Sequence, residues 1–406
     1  MCVVLTFNFF IIKEIKMADR GKQVIHNINY FGDKCACGWY RLGWPSNIIQ
    51  TIIGTEYHYL STDTELLIGD PNFYRQYGGP RLVRIQRWFG YDKLAFLRDF
   101  LKPLSEALGF TIAYEVDDVL VYDDIPKYNI AKPAFHPDRV GDTVKEIFQL
   151  CDLITVSTDE LRDFYMKRFS MPKDKFFVIN NYLPRWWIGD AMNIDRQMEQ
   201  YSKQRNKPTI AFCCSANHFD LDNLNDGVDD FTHIIPWIIS NMHRYNFTFV
   251  GGIPQQLSHF AYNGQIQVQS PSDIFNYPSE MKKRKIDLLL APLMDNEFNR
   301  CKSNIKFLEF SALGIPMAGQ NISTYNKYTK LVFNDGQDLD RICNQLFFEK
   351  DSEEYYRNVI QQQRNIIDYP SPISSNGFWL EKNYSRYYEL FTLPQKTIQL
   401  DINNVQ

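Results

Sequence analysis

Residues 288–316 read LLLAPLMDNEFNRCKSNIKFLEFSALGIP. The run 286–291 (IDLLLA) is almost continuously apolar, the pattern of a parallel strand covered on both faces. A polar loop follows, and the spacing predicts a helix over 303–313. Ile305, Leu308 and Ala312 form its apolar stripe, while Lys302, Lys306 and Glu309 fall on another face at i, i+4 and i+7. Gly314 stops the helix and Pro316 prevents its continuation. Arg300, Lys302 and Lys306 gather where the helix already carries partial positive charge. Each cation there is unfavourable by roughly 0.3–1 kcal/mol. A diphosphate bound at the helix start reverses that sign. Glu309, one to two turns inside, is then placed to accept hydrogen bonds from ribose hydroxyls. A solvated helix face, with Ser303 as a plain cap and Lys306–Glu309 as a surface pair, is the other reading of the same residues.

Outward from this segment the chain alternates strand-like and helix-like stretches. Before it, strands are expected at 23–27, 81–87, 110–115, 153–156 and 176–179. Helices are expected at 43–53, 94–108 (with Pro103 inside), 144–149 and after a Ser157 cap that has Glu160 three residues on. Residues 184–208 are polar, irregular and closed by Pro208. The alternation then restarts with strands at 209–214, 247–250 and 286–291 and helices at 231–242, 303–313, 339–347, 353–367 and 379–391. Two successive β-α-β-α halves imply two Rossmann-like parallel sheets with a ligand cleft at the carboxyl ends of the strands. The expected division is an extension outside the core at 1–16, a first domain at 17–184, a linker at 185–207, a second domain at 208–375, and a closing helix and tail at 376–406 that cross back to the first domain.

Bulk properties fit this plan. The 406 residues exceed what one core holds, and a 44% hydrophobic, 23% charged composition supplies two. A net charge of -4 argues against a dedicated basic nucleic-acid module. The eight cysteines lack Cys-x2-Cys pairs, so no structural zinc site is expected and a reducing cytoplasm is. No apolar run is long enough to span a bilayer.

Three further segments carry candidate chemistry. YEVDDVLVYDD at 114–124 sets five carboxylates beside a strand end. Glu115, Asp117 or Asp118 could position an acceptor hydroxyl or stabilise oxocarbenium charge; a metal clamp and a solvated turn are the alternatives. CACGWYRLGWP at 35–45 follows the first strand, and Gly38 would let backbone amides approach an anion or sugar. CCSANHFDLDN at 213–223 opens the second half; Ser215 could bond a phosphate, and His218 and Asp220 could border the cleft. A structural histidine is the plainer reading of His218. Trp186–Trp187 are expected to pack between domains, and the basic run 281–285 to be a solvated helix end.

The segment 291–319 resembles the donor site of GT-B glycosyltransferases close to families 1 and 4, where a basic pair precedes a helix with a ribose-binding glutamate. Glu309 matches the second glutamate of that pattern. The first falls at Cys301 and is missing, and Arg300 with Lys302 looks like the substitute of a "KS-x-x-K-x-x-E" subgroup. Residues 114–124 resemble the same subgroup's "YE-DDdlf" run, and 213–220 its "GS-x-x-H-x-x-D" stretch, with Cys214 in place of the glycine. The resemblance implies an α/β GT-B fold, of a shape that virus-encoded enzymes share, and an enzyme that transfers a sugar from a nucleotide-diphosphate sugar with retention and without an obligatory metal or other cofactor. It implies catalytic roles for Glu115, Asp117, Asp118 and His218 and donor binding by Ser215, Arg300, Lys302, Lys306 and Glu309. Gly38, Tyr40 and Arg41 would form an acceptor-side loop. The acceptor would be a glycan or a hydroxymethylated DNA base. A sugar-nucleotide epimerase and a noncatalytic nucleotide-sugar binding protein remain as alternatives.

Overall fold

The computed structural model describes residues 25–53, 57–63, 65–75, 79–187, 194–203, 207–223, 225–391 and 393. The extension expected at 1–16 lies outside them, as do 188–193 and 204–206 of the expected linker. The first sheet is all parallel, in the order β2-β1-β3-β4-β5-β6. Its strands are β1 (Ile25–Phe31), β2 (Tyr57–Asp63), β3 (Pro80–Gln86), β4 (Thr111–Val116), β5 (Leu153–Val156) and β6 (Phe176–Val178). The second sheet, also parallel, runs β12-β11-β10-β7-β8-β9. It comprises β7 (Thr209–Cys214), β8 (Asn246–Gly251), β9 (Ile266–Gln269), β10 (Leu288–Ala291), β11 (Met317–Gln320) and β12 (Val332–Phe333). Five helices recur below: α1 (Trp44–Ile53), α2 (Asp159–Phe169), α3 (Ile305–Ala312), α4 (Ser352–Asp368) and α5 (Tyr384–Phe391).

Several elements depart from the sequence expectation for identifiable reasons. β2, β9, β11 and β12 are additional strands. β9 lies at a sheet edge with its two middle residues exposed, so it lacks an apolar run. Pro103 does not break its helix: helical residues run from Tyr91 to Leu108 through the wider turn Leu97–Leu101, which accommodates the missing amide donor. The cap of α2 is Thr158, not Ser157, and its hydroxyl accepts from the Leu161 amide at 3.1 Å. α3 starts at Ile305 after Asn304, and Arg300 ends a separate short helix, Glu297–Arg300. Arg300, Lys302 and Lys306 thus lie on the short helix, the bend after it and α3, rather than on one helix start.

Each sheet has its own apolar core. Val83, Ile85, Ile112, Phe148 and Tyr165 belong to the first. Phe212, Phe231, Phe249, Leu339 and Tyr356 belong to the second. A third cluster joins the halves: Tyr40, Trp44 and Leu82 of the first meet Phe307, Leu308 and Met317 of the second, with Trp187, Trp379 and Tyr387 from the connecting and returning segments. Burying a ring of this size is worth about 4–6 kcal/mol by area, as an upper bound. The closed arrangement therefore has an apolar foundation. The chain returns after α4: Leu183 and Leu380 exchange backbone bonds with Phe378 and Leu183 at 3.0 and 2.9 Å. α5 then packs on α1, and the Phe391 ring lies 4.8 Å from the Arg84 guanidinium carbon. Among the described residues, no helix is long and apolar enough to cross a membrane.

Candidate active site in the interdomain cleft

Both sheets reverse their winding once. The reversal falls between β1 and β3 in the first and between β7 and β10 in the second. Crevices open at such points, outside the carboxyl ends of the strands. The loops there carry Asp33, Gly38 and Arg87 on one side and Ser215, His218 and residues 292–304 on the other. The parallel topology thus brings together segments far apart in sequence.

On the second domain's side, β7 runs into a turn at Ala216–His218. Ser215 is exposed there, while His218 is buried. Gly252 makes room for this turn, since a Cβ on it would sit 2.5 Å from the Phe219 ring. His218 Nδ1 lies 2.7 Å from Asp230 Oδ2. Burial, and next the charge of Lys306, hold the imidazole down to about 4 against the pull of Asp230. Burial would raise the Asp230 carboxyl, but hydrogen bonds from His218, Met294 and Tyr128 bring it below the usual range. An ionised carboxylate only accepts, so Nδ1 carries the imidazole proton and Nε2 the lone pair. Asp220, expected at the cleft, instead accepts the amides of Asn225 and Gly227 at 3.0 and 2.8 Å and holds the following turn.

The cations divide. Lys302 reaches across the gap, with Nζ 3.4 Å from Asp118 Oδ2 and 4.4 Å above the Phe298 ring. Lys306, in the first turn of α3, makes no hydrogen bond or ion pair with a described residue. Both ammonium groups act on His218, and the field of Lys306 also reaches Cys213, Cys214 and Glu309. Arg300 stands apart: it is 51% exposed and bonded to Asp295 at 2.7 Å. Glu309 is buried and accepts from the Tyr40 hydroxyl at 2.6 Å. Burial pushes its carboxyl up to about 7, and the hydrogen bond from Tyr40 and the charge of Lys306 oppose this.

On the first domain's side, Gly38 is required by space rather than by backbone angle. A Cβ there would meet the Asp33 carbonyl at 2.0 Å, and the Gly38 and Cys35 amides both approach Asp33 Oδ1. Arg87 follows β3 with φ 51°, a left-handed value that strains a residue with a Cβ. Its guanidinium lies 2.6 Å from Asp117 and 3.8 Å from Asp33. Burial pushes both carboxyls up. The charges of Arg87 and Arg41 bring Asp117 below the usual range, whereas Asp33 stays above it. Asp118 turns the other way, toward Lys302.

Glu115 and Arg41 do not line the gap. Each side chain is 1% exposed, and they bond to each other at 2.6 Å inside the first domain. Thr155 donates to the other Glu115 oxygen, and Arg41 also donates to Asn181 at 2.9 Å. Asn181 in turn donates to Ser303 at 2.8 Å, just before α3. A buried pair of this kind contributes geometry more than net stability. Tyr40, one residue away, reaches Glu309 of the second domain. Trp187 packs inside the interdomain core, while Trp186 is 49% exposed and stacks on Phe275.

Sequence reasoning did not single out Asp230, Tyr128, Asn181, Asn299 or Arg87. Asp230 sits in the polar run NDGVDDFTH, where nothing in composition separates it from turn residues. The available signal was a histidine on a strand-following loop, which needs a partner to fix its tautomer.

No family profile and no curated protein matches the sequence. Solved structures do match in three dimensions. A glycosyltransferase from Rickettsia africae superposes with a TM-score of 0.54 at 12% identity, over 92% of this chain and 98% of that one. HepE from Anabaena, solved with UDP and glucose, gives 0.55 at 9% identity over 90% and 98%. An E. coli trehalose-6-phosphate protein bound with UDP-2-fluoro glucose gives 0.54 at 11% identity over 91% and 100%. Nearly the full length of each chain is covered, with both parallel sheets in place. The chain therefore has the GT-B fold, two Rossmann-like domains facing each other across a cleft.

Proposed function

We propose that this protein is a glycosyltransferase that uses a nucleotide-diphosphate sugar, with a uridine nucleotide as the first candidate. One observation carries the reading. Lys306, at the start of α3, has no described partner, and with Lys302 it places two positive charges around the neutral His218 at the cleft. Lys302 is met by Asp118, whereas Lys306 has no counter-charge among the described residues at the helix start, where a bound anion is favoured. The diphosphate would rest on Lys306, Lys302, Ser215 and the amides opening α3. Glu309 would take the ribose hydroxyls after exchanging the Tyr40 hydroxyl.

In the reaction the bond between the sugar's anomeric carbon and the diphosphate oxygen breaks. The acceptor hydroxyl oxygen bonds to that carbon, and its proton passes to the departing phosphate. Lys302 and Lys306 lower the energy of the leaving group as its charge grows. His218 Nε2, as a lone pair, accepts a hydrogen bond from a donor-sugar hydroxyl. Asp118 and Asp117 hold the acceptor side, while Glu115 and Arg41 act from inside the wall as positioning groups. The family resemblance makes retention the expected outcome, readable from the product anomer. A glycan hydroxyl is the favoured acceptor. A net charge of -4 leaves no overall excess of basic groups for a polyanionic DNA backbone. Cys37, Cys213, Cys214, Cys301 and Cys343 form no disulfide among the described residues, which fits a cytoplasmic setting.

The test is a panel of nucleotide sugars, with released nucleoside diphosphate measured with and without glycan acceptors and hydroxymethylcytosine DNA. Lys302→Ala is expected to lower turnover at least about 100-fold with unchanged thermal unfolding. Wild-type rates in that variant would overturn the assignment. Conversion of the donor to an epimeric nucleotide sugar, with no diphosphate released, would indicate an epimerase.

A further inference from the structure

Asp230 gathers donors from both halves of the molecule. Its Oδ1 accepts from the Met294 amide, Asn299 Nδ2 and the Tyr128 hydroxyl, each at 2.8 Å. Its Oδ2 faces His218 Nδ1 at 2.7 Å. Asn299 Nδ2 also approaches the Tyr128 oxygen at 3.1 Å. Asp230 and Asn299 are 1% and 0% exposed. Met294 and Asn299 lie in the loop and short helix after β10, His218 follows β7, and Tyr128 belongs to the first domain. One buried carboxylate thus ties the donor-side histidine to the opposite wall of the cleft.

We infer that Asp230 is a positioning residue for His218, fixing its proton on Nδ1, and that Tyr128 makes this arrangement depend on the two domains being closed. The kinetic part rests on the proposed transferase reading; the tautomer part does not. With Oδ2 taken by Nδ1–H, the imidazole cannot rotate without breaking a short bond to a buried anion. Its Nε2, which has no hydrogen bond to a described residue, is therefore presented only as an acceptor. Lys306 and Lys302 are the charged groups that act on it from the donor side. When the domains part, Tyr128 leaves Oδ1 and the contacts among Tyr128, Asp230 and Asn299 come apart together. Closure and the presentation of Nε2 are then one event rather than two.

The full-length protein, labelled with nitrogen-15 in histidine, tests this directly, with His218→Gln assigning the signal. Wild type is expected to show His218 as the Nδ1–H tautomer. Asp230→Asn is expected to convert it to Nε2–H, because a carboxamide turns its NH2 toward Nδ1. In turnover assays Asp230→Asn should lower kcat about 10- to 100-fold with a donor KM within about threefold of wild type, and Asp230→Glu should recover part of the loss. Tyr128→Phe should lower kcat about 10-fold. In a His218→Gln background neither Asp230→Asn nor Tyr128→Phe should have a further effect. An Nε2–H tautomer in wild type, or equal losses in both backgrounds, would overturn the inference. If Asp230→Asn does not fold, Asp230→Glu and Tyr128→Phe carry the same comparison. If the wild type consumes no nucleotide sugar, the transferase reading fails, and the tautomer measurement still decides the role of Asp230.

Discussion

At Glu309, burial raises the carboxyl from 4.5 to about 7. An acid with a raised folded value binds its proton more tightly in the folded state than in the unfolded one. The contribution of this group is therefore fully present below about pH 4.5 and is lost as pH rises through about 7. At about 1.4 kcal/mol per unit the ceiling is roughly 3.5 kcal/mol. Asp287, which burial pushes up to about 7 beside the Thr209 amide, adds a loss of the same sign. Glu309→Gln is expected to flatten, not abolish, the fall in urea midpoint between pH 5 and pH 8; an unchanged slope would show that the buried carboxyl is not its source. Residues of this kind differ in how well sequence exposes them. Lys306 and Glu309 share α3 as their spacing predicts, because helical period and charge sign are local properties, whereas Lys302 falls in the bend before it. Arg41 and Glu115 read as cleft charges by type, yet each cancels the other inside the wall. Tyr128 and Asp230 acquire meaning only from a contact spanning about a hundred residues, which no local pattern records.

Element boundaries show the same division between local and distant causes. Long apolar strands such as β4 and β7 announce themselves, because both faces are covered. β2, β9 and β12 lie at or near sheet edges, are short or polar, and exist because a neighbour offers a ladder to complete. The loop after β1 depends on Gly38, whose missing side chain lets the backbone fold onto the Asp33 carbonyl. Gly38→Ala forces that carbonyl and the Phe31 ring to move. A loss of about 1–3 kcal/mol in chemical denaturation is expected. Because the displaced loop carries Asp33, the acceptor KM should rise more than the donor KM; equal changes in both would place the loop away from the acceptor.

For the whole molecule, the two β-α-β-α halves were readable from alternation alone, whereas the way they are fastened was not. The joining cluster mixes rings from positions 40 to 391, and no window of sequence contains it. Its far end is Phe391, fully buried against Arg84. Phe391→Ala removes that ring and is expected to cost about 3–5 kcal/mol, seen as a lower urea midpoint. If first-domain and second-domain probes report the same lowered midpoint, the halves unfold as one unit; a wild-type midpoint would show that α5 bears no load.

The seat of α5 on α1 also has a consequence for synthesis. The first domain takes a covering piece, α5, from beyond the whole second sheet, so a nascent protein carries an uncovered apolar face at α1 until α5 has been made. Premature termination anywhere before α5 would leave that face open in the released fragment. Such products should be prone to self-association, and so a ready substrate for chaperones and proteases.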